Sequence, residues 1–459
     1  MATYTTRKRF SLQRVLARIS LLLLVIIIGA AIFLFFSASK PTIDLTGIPQ
    51  IIGSSQTLEI GISSNGGKLA QVLVTASQND STKEIFSIAG PGGKDGAQAG
   101  PAKERLAVPF DVKSLGLSEG PVTFTVSANN FSLLDIVRKN VATATTTATI
   151  DTRPPAITLL HSEQYISPGG AGIAIYSVDD PKSEHGVVIN GRFNPGHPIS
   201  SDGKGQYIAY FALPYDAESL SESSIKATDT AGNSTTLPFT TLYQSARQKH
   251  DRINISDGFL NAKLPEFRQH YPDMSGSPVE QYLYTNSTVR DANNAKIAEI
   301  CSVSADERFW SGQFLRMPGS NRAGFADHRT YYYNDKPIDE QVHLGIDLAS
   351  TQQATVGAAN DGKVVFGDYL GIYGNMVVID HGQGVFSLYS HLSQIKVKPG
   401  DKVTKNQPIG LTGRTGMAGG DHLHFSILVN GIFATPLEWW DPHWLKVTIE
   451  QPLASLAGK

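Results

Sequence analysis

Cysteine is almost absent from this chain of 459 residues: Cys301 stands alone. No intramolecular disulfide and no cysteine-based zinc cluster can form, so any metal site must draw on histidine and carboxylates. Charged residues are few, 17% of the chain, and nearly balanced, with a formal net charge of -2 at pH 7. That balance argues against a nucleic-acid protein, which usually carries a strongly basic domain. The 43 glycines and 24 prolines follow no triplet period, which excludes collagen. Hydrophobic residues, at 41%, suffice for packed cores and exclude wholesale disorder. At about 150 residues per domain the length predicts roughly three domains.

Acidic residues are missing from residues 1–40, which hold Arg7, Lys8, Arg9, Arg14, Arg18 and Lys40. The rest of the chain then has 33 basic residues against 41 acidic ones. Residues 19–39 carry no charge at all, and the stretch from Leu21 to Phe36 is almost wholly apolar. About 20 apolar residues span the hydrocarbon core of a bilayer. The cationic flank precedes the apolar run, so residues 1–18 are expected as a cytoplasmic tail and 19–39 as a transmembrane helix. A cleaved signal peptide is the competing reading, with Ser37-Ala38-Ser39 at plausible cleavage positions. Signal peptides usually have an apolar region of only about 7–15 residues, so the length favours an anchor. Either reading exports the body of the protein.

That body is expected to be mainly β. In residues 41–152, Leu58–Ile62, Gln71–Thr75 and Val122–Val126 alternate with the period of half-buried strands. Gly90-Pro-Gly-Gly-Lys-Asp-Gly96 reads as a turn, and Val141–Ile150, rich in Thr and Ala, as a closing edge strand. The two prolines of Asp151-Thr-Arg-Pro-Pro155 make a stiff linker. Residues 156–241 repeat the style, with strands at Ile173–Val178, Gln206–Phe211 and Ser224–Thr228. The Ala227–Ser234 turn and the Pro-Pro junction resemble those of bacterial immunoglobulin-like domains, which implies two β-sandwich modules. Residues 243–312 are expected as a mostly helical connector. Ser277-Pro278-Val279-Glu280 combines a Ser cap, Pro at the first helical position and a capping-box Glu. Val279, Tyr282, Leu283, Val289, Ala292 and Ile297 follow at roughly helical spacing. Residues 313–445 return to strands and tight turns and are expected as an antiparallel β domain, with 446–459 as a tail.

Half of the 12 histidines fall between His343 and His443. His422 and His424 stand two apart on a predicted strand and so share a face. His343 and Asp347, four apart on an extended segment, share one too. Two imidazoles and a carboxylate suit zinc, and three protein ligands leave a fourth tetrahedral position for water, the catalytic pattern. The two histidines left over, His391 and one of the His422/His424 pair, suit a proton acceptor and a group for the developing oxyanion. His328, His381 and His443 are read as structural, and Cys301 as a small buried hydrophobe. No His-Glu-x-x-His helix occurs, which excludes the common zincin arrangement.

With these residues the C-terminal region resembles the LytM/lysostaphin family of zinc metallopeptidases, which cut peptide cross-links in bacterial cell walls. The family's His-x-x-x-Asp appears as His343 and Asp347, its His-x-His as His422 and His424, and its Tyr-x-His-Leu as Tyr389-Ser-His391-Leu392. The stretches Asp361–Val365, Tyr373–Gly382, Val397–Val403 and Gly410–Gly416 are also similar, and the match covers residues 313–440. The resemblance implies that His343, Asp347 and His424 hold one zinc ion per catalytic domain. It makes His422 the general base on the zinc-bound water and His391 the group that steadies the tetrahedral intermediate. Asn375 falls where the family often has a polar groove residue. In some relatives a segment covers the groove, which makes residues 243–330 a candidate cover and Asn321 or Asp327 candidates for the open zinc position.

The sequence is thus read as a single-pass inner-membrane zinc endopeptidase with its catalytic domain in the periplasm. Its expected partners are peptidoglycan stem peptides, the membrane through the N-terminal helix, and proteins of the wall machinery. The alternative is a non-catalytic wall-binding scaffold or an activator of other wall hydrolases.

Overall fold

The computed structural model describes residues 12–37, 40–64, 69–88, 103–130, 141–199 and 205–457. The expected Gly90–Gly96 turn and most of the basic tail lie outside these. Leu12–Ser37 forms one helix, α1. Its described part already includes residues 12–18, ahead of the expected residue 19, and that LQRVLAR stretch contains good helix formers and no Gly or Pro. Arg14 and Arg18 therefore lie on the helix. Within it, Gln13–Ile32 is long and apolar enough to cross a membrane.

The chain divides into two compact units. One holds the described residues up to Arg153 together with Thr230–Asn233, and the other holds Pro154–Asp229 with the described residues from Ser234 onward. The first unit contains a three-stranded and a five-stranded sheet. Its core is drawn from alternate positions, such as Leu58, Ile60 and Ile62 on one strand and Val122, Phe124 and Val126 on another. Val141–Ile150 pairs along its whole length with Gly120–Asn130. Its other side is not a free edge, since Ile51–Ile52 pairs there in parallel.

The second unit begins with two four-stranded sheets. In one of them Ala171–Val178 and Gln206–Ala212 are buried on both faces. Ala174, Tyr176, Ala209 and Phe211 pack toward the other sheet. Ile173, Ile175, Ile208 and Tyr210 instead join a core that contains Trp310, Phe314 and Trp439. A strand buried on both sides needs continuous rather than alternating hydrophobicity, and Gln206-Tyr-Ile-Ala-Tyr-Phe211 supplies it. These sheets therefore share a hydrophobic core with the C-terminal domain.

Next come the strand β1 (His250–Asn254) and the helices α2 (Asp257–His270), α3 (Pro278–Tyr284) and α4 (Arg290–Ile300). Ser277 and Glu280 form the expected capping box: Ser277 N donates to Glu280 Oε2 at 2.7 Å, and Glu280 N donates to Ser277 Oγ at 3.3 Å. A π turn, Thr285–Val289, joins α3 to α4. It shifts the register, which is why the apolar spacing across it is only roughly helical.

The C-terminal domain contains β2 (Ser320–Ala323), the hairpin of β3 (Asp327–Tyr333) and β4 (Lys336–His343), and then β5 (Ile346–Ala349), β6 (Gly362–Leu370), β7 (Gly374–Asp380), β8 (Val385–Leu392) and β9 (Leu423–Val429). Its main sheet is antiparallel with the order β2-β5-β9-β8-β7-β6. The helices are not a loose tether to this domain. Leu260, Leu264, Phe267, Tyr282, Val289, Ile297 and Cys301 share one core with Met376, Val378, Phe386, Leu388 and Leu428. Cys301 is buried, and burial pushes its thiol pKa up, so it is an inert packing residue.

Candidate active site

Strand register assembles the site. Asp347 on β5 pairs directly with His424 on β9, and β9 pairs with β8, whose end carries His391. His343 ends β4, and the chain then passes Gly345 into β5. A Cβ at Gly345 would lie 2.5 Å from His424 Nε2 and 2.7 Å from Phe425 O, so only glycine lets this turn run so close to β9. His391 has φ +62, a left-handed conformation uncommon for a residue with a Cβ, at the point where β8 leaves the sheet.

Three ligand-type atoms converge. His343 Nε2 lies 2.9 Å from His424 Nδ1 and 3.0 Å from Asp347 Oδ1, and His424 Nδ1 lies 3.0 Å from the same oxygen. The outer hydrogen bonds fix the tautomers. His343 Nδ1 donates to Gly324 O at 2.8 Å, which leaves a lone pair on Nε2. Ser426 Oγ donates to Leu344 O, so His424 Nε2, 3.2 Å from that hydroxyl, carries its ring's hydrogen and leaves a lone pair on Nδ1. Two lone pairs and a carboxylate oxygen thus face one another with no hydrogen between them in the neutral rings. A cation relieves that arrangement, and the donor set suits zinc at about 2.0–2.2 Å from each atom. His343, Asp347 and His424 are all buried.

His422 and His391 lie alongside, with ring centroids 4.8 Å apart. His422 Nε2 is 3.5 Å from Asp347 Oδ1. His422 Nδ1 donates to Gly420 O and His391 Nδ1 donates to Thr415 O, each at 2.9 Å, so both rings leave Nε2 unspent. Burial and the neighbouring His422 and His424 hold His391 well below the ordinary imidazole value. Burial alone would lower His422 too, but Asp347, whose oxygen and charge would receive a proton placed on Nε2, outweighs it and raises the pKa. Burial also opposes ionisation of Asp347, yet the surrounding histidines, His343 first, hold its carboxyl well below the usual range.

A cavity of about 300 Å³ opens over these groups. Its other walls come from outside the expected motifs: Asn254 on β1, Phe259 on α2, Tyr282 on α3, Arg290 on α4, and Arg329 and Tyr331 on β3. Arg329 Nη2 reaches Asp347 Oδ2 at 3.4 Å. Asn375 does not line the cavity. Its Nδ2 donates to Leu392 O and its backbone N to Thr415 Oγ1, so it braces the two segments that hold His391. Asn321 and Asp327 do not line it either, and Asp327 is taken by Lys249 Nζ and Gly324 N. His381 is fully buried away from the cavity, bonded to Asp361 O and Ser387 Oγ.

Residues 341–436, which contain all five of these histidine and aspartate groups, match Peptidase family M23. The C-terminal region carries an M23 peptidase domain. The chain is 42% identical over 97 residues to the peptidoglycan DD-endopeptidase ShyA of Vibrio cholerae, covering 21% of this chain and 23% of ShyA. It is 37% identical over 152 residues to ShyC of the same organism, a peptidoglycan DD-endopeptidase, covering 32% of each chain. The murein hydrolase activator EnvC of Escherichia coli is 36% identical over 107 residues, 23% of this chain and 26% of EnvC. The matches thus span about a quarter to a third of these relatives' length. The signals that sequence reading lacked concern the cavity's other walls: isolated residues such as Arg329 belong to no spaced motif, and the helical spacing that includes Tyr282 marks it as buried without saying that it lines a cavity.

Proposed function

We propose that the chain is a membrane-anchored zinc metalloendopeptidase that hydrolyses peptide cross-links of bacterial peptidoglycan. The observation that carries this is the convergence of His343, Asp347 and His424, with lone pairs facing inward, beside two histidines whose Nε2 atoms are unspent. The M23 match and the relatives named as DD-endopeptidases support the same reading. His343, Asp347 and His424 would hold the ion. When bound, zinc supplies Lewis acidity and activates water at neutral pH.

The chain's own groups do the rest. His422 takes a proton at Nε2, with Nδ1 held by Gly420 O so that the lone pair keeps its direction. His391 steadies the negative charge of the tetrahedral intermediate. Its Nδ1 hydrogen is already spent on Thr415 O and the resting ring is neutral, so it donates at Nε2 only after a proton reaches that atom during the reaction. The burial of the ligands keeps bulk water from competing with these contacts. In this reading α1 is the anchor, the two pairs of sheets are immunoglobulin-like modules, and everything after α1 lies in the periplasm.

The test is digestion of purified sacculi by the full-length, zinc-loaded protein in detergent, with released muropeptides identified by mass spectrometry. New ends from cut cross-links are expected with the wild type and absent with His422→Ala. The likeness to EnvC favours a second reading, an activator of other wall hydrolases. That reading requires both proteins to leave sacculi intact while the wild type stimulates a separate hydrolase.

A further inference from the structure

Thr415 O, the acceptor that holds the His391 ring, belongs to the same peptide unit as Gly416 N. In a trans peptide the carbonyl and the N–H point in opposite directions from one rigid plane. His391 Nδ1 donates to the carbonyl end at 2.9 Å, and the N–H end donates to Glu266 Oε1 at 2.6 Å. One amide plane is therefore gripped at both ends, by a histidine on β8 and by a carboxylate on α2. Lys263, three residues before Glu266 and so on the same face of α2, is buried and donates from Nζ to Arg414 O in the preceding peptide unit. The Thr415 side chain is fixed as well: Oγ1 donates to Leu392 O and accepts from Asn375 N, each at 2.9 Å. A Cβ at Gly416 would lie 2.4 Å from Gly374 N, so the segment is packed hard against the start of β7. None of Lys263, Glu266 and Thr415 lines the cavity. His391 has left-handed backbone at the end of β8, so the peptide it donates to sets the direction of its ring more than the strand does.

We propose that Glu266 is a positioning residue for His391, acting through the Thr415–Gly416 peptide. This rests on the peptidase reading above and adds to it a residue from outside the family match at 341–436. The carboxylate fixes the tilt of the amide plane. Its short, charge-assisted bond to Gly416 N also polarises the amide and makes Thr415 O a stronger acceptor. That carbonyl then holds the Nδ1 hydrogen of His391, so the ring cannot turn and Nε2 stays free for the reaction. An imidazole left to rotate would spend most of its time misaimed, and misalignment of a reacting group is costly. No proton passes along the relay, because the amide keeps its hydrogen throughout. The helix α2 thus supplies a charge to the site from behind, without touching the substrate.

The test uses the full-length, zinc-loaded chain in detergent and a synthetic cross-linked stem-peptide dimer. Glu266→Ala is expected to lower kcat by at least about tenfold, the size of one charge-assisted hydrogen bond, and to leave KM within about twofold of wild type. Glu266→Gln keeps an oxygen on Gly416 N and should recover most of the loss. A wild-type kcat in Glu266→Ala overturns the proposal, and so does a Gln variant as slow as the Ala variant. A second readout is the Nδ1–H proton of His391, followed by NMR with isotope-labelled histidine and assigned by its loss in His391→Ala. It should be downfield and slow to exchange in the wild type, and upfield and faster in Glu266→Ala. If Glu266→Ala does not melt cooperatively, the same signal in Glu266→Gln decides: an upfield shift supports the relay and an unchanged signal overturns it. If the wild type leaves the dimer uncut, the peptidase reading falls and the signal is read alone. Moved in Glu266→Ala, it upholds the positioning of His391; unmoved, it overturns that too.

Discussion

At the scale of single residues the site depends on close approach more than on charge. Gly345 passes so near His424 that a methyl group has no room. Gly345→Ala is expected to displace the His424 ring and weaken zinc retention by at least about tenfold, the cost typical of disturbing groups that orient a ligand. Metal analysis after dialysis against a chelator would measure it, and wild-type retention would show that the turn can give way. The five residues of the proposed centre were legible in the sequence because each belongs to a spaced pair or a short motif. Which of His422 and His424 faces the ligands was not legible from spacing, since both share a face; the β5–β9 register, with Asp347 opposite His424, makes the difference. Arg329 and Arg290 were not legible at all, and Tyr282 was legible only as an apolar position of a helix. Each enters the cavity through long-range packing, and an isolated arginine has no period. Asn375 sits in the right neighbourhood, but its amide is turned inward to Leu392 O.

At the scale of elements, the helices α2–α4 are a wall of the cavity. Leu260, Leu264, Phe267, Tyr282, Val289 and Ile297 are buried against the sheet. Each fully buried apolar side chain contributes about 1.5–3 kcal/mol, so six of them match the whole margin of about 5–15 kcal/mol by which a domain is stable. Polar clasps add to this: Asn293 Oδ1 accepts from Ile372 N at 2.9 Å, Tyr373 OH donates to Asn294 Oδ1 at 2.8 Å, and Gly416 N donates to Glu266 Oε1 at 2.6 Å. A chain lacking residues 243–312 is therefore expected to lose cooperative melting and solubility instead of gaining activity. A soluble, active truncation, followed by circular dichroism and the sacculus assay, would show the helices to be a removable cover. The capping box made α3 readable from four residues, whereas the π turn blurred the pattern beyond it.

At the scale of the whole molecule, the strands of the second pair of sheets were readable but their second buried face was not. Period and composition say that Gln206–Phe211 is buried and cannot say by what. The seam includes Glu438, whose Oε2 accepts from Ala171 N at 2.8 Å. Burial pushes its carboxyl up to about 8 against the pull of that hydrogen bond, and Glu163 adds to the rise. The folded state thus keeps a proton that the unfolded chain releases near the ordinary carboxyl value, so stability present in acid is lost as pH rises through 8. Glu438→Gln is expected to raise the melting temperature above pH 8 by a few degrees and to change it little near pH 5. His381 works in the other direction. Burial lowers it from 6.5 to about 4, so stability falls as pH drops across that interval. A melting curve for the wild type should accordingly be highest between the two limits.

The shared core also has a consequence in time. Ile173, Ile175, Ile208 and Tyr210 pack with Trp439, Leu445 and Ile449, which are made long after them. A chain made N-terminus first keeps that sheet face bare, and lacks the strand bearing His424, until those later residues are in place. The groups of the proposed metal centre therefore meet only once β9 has been added beside β5.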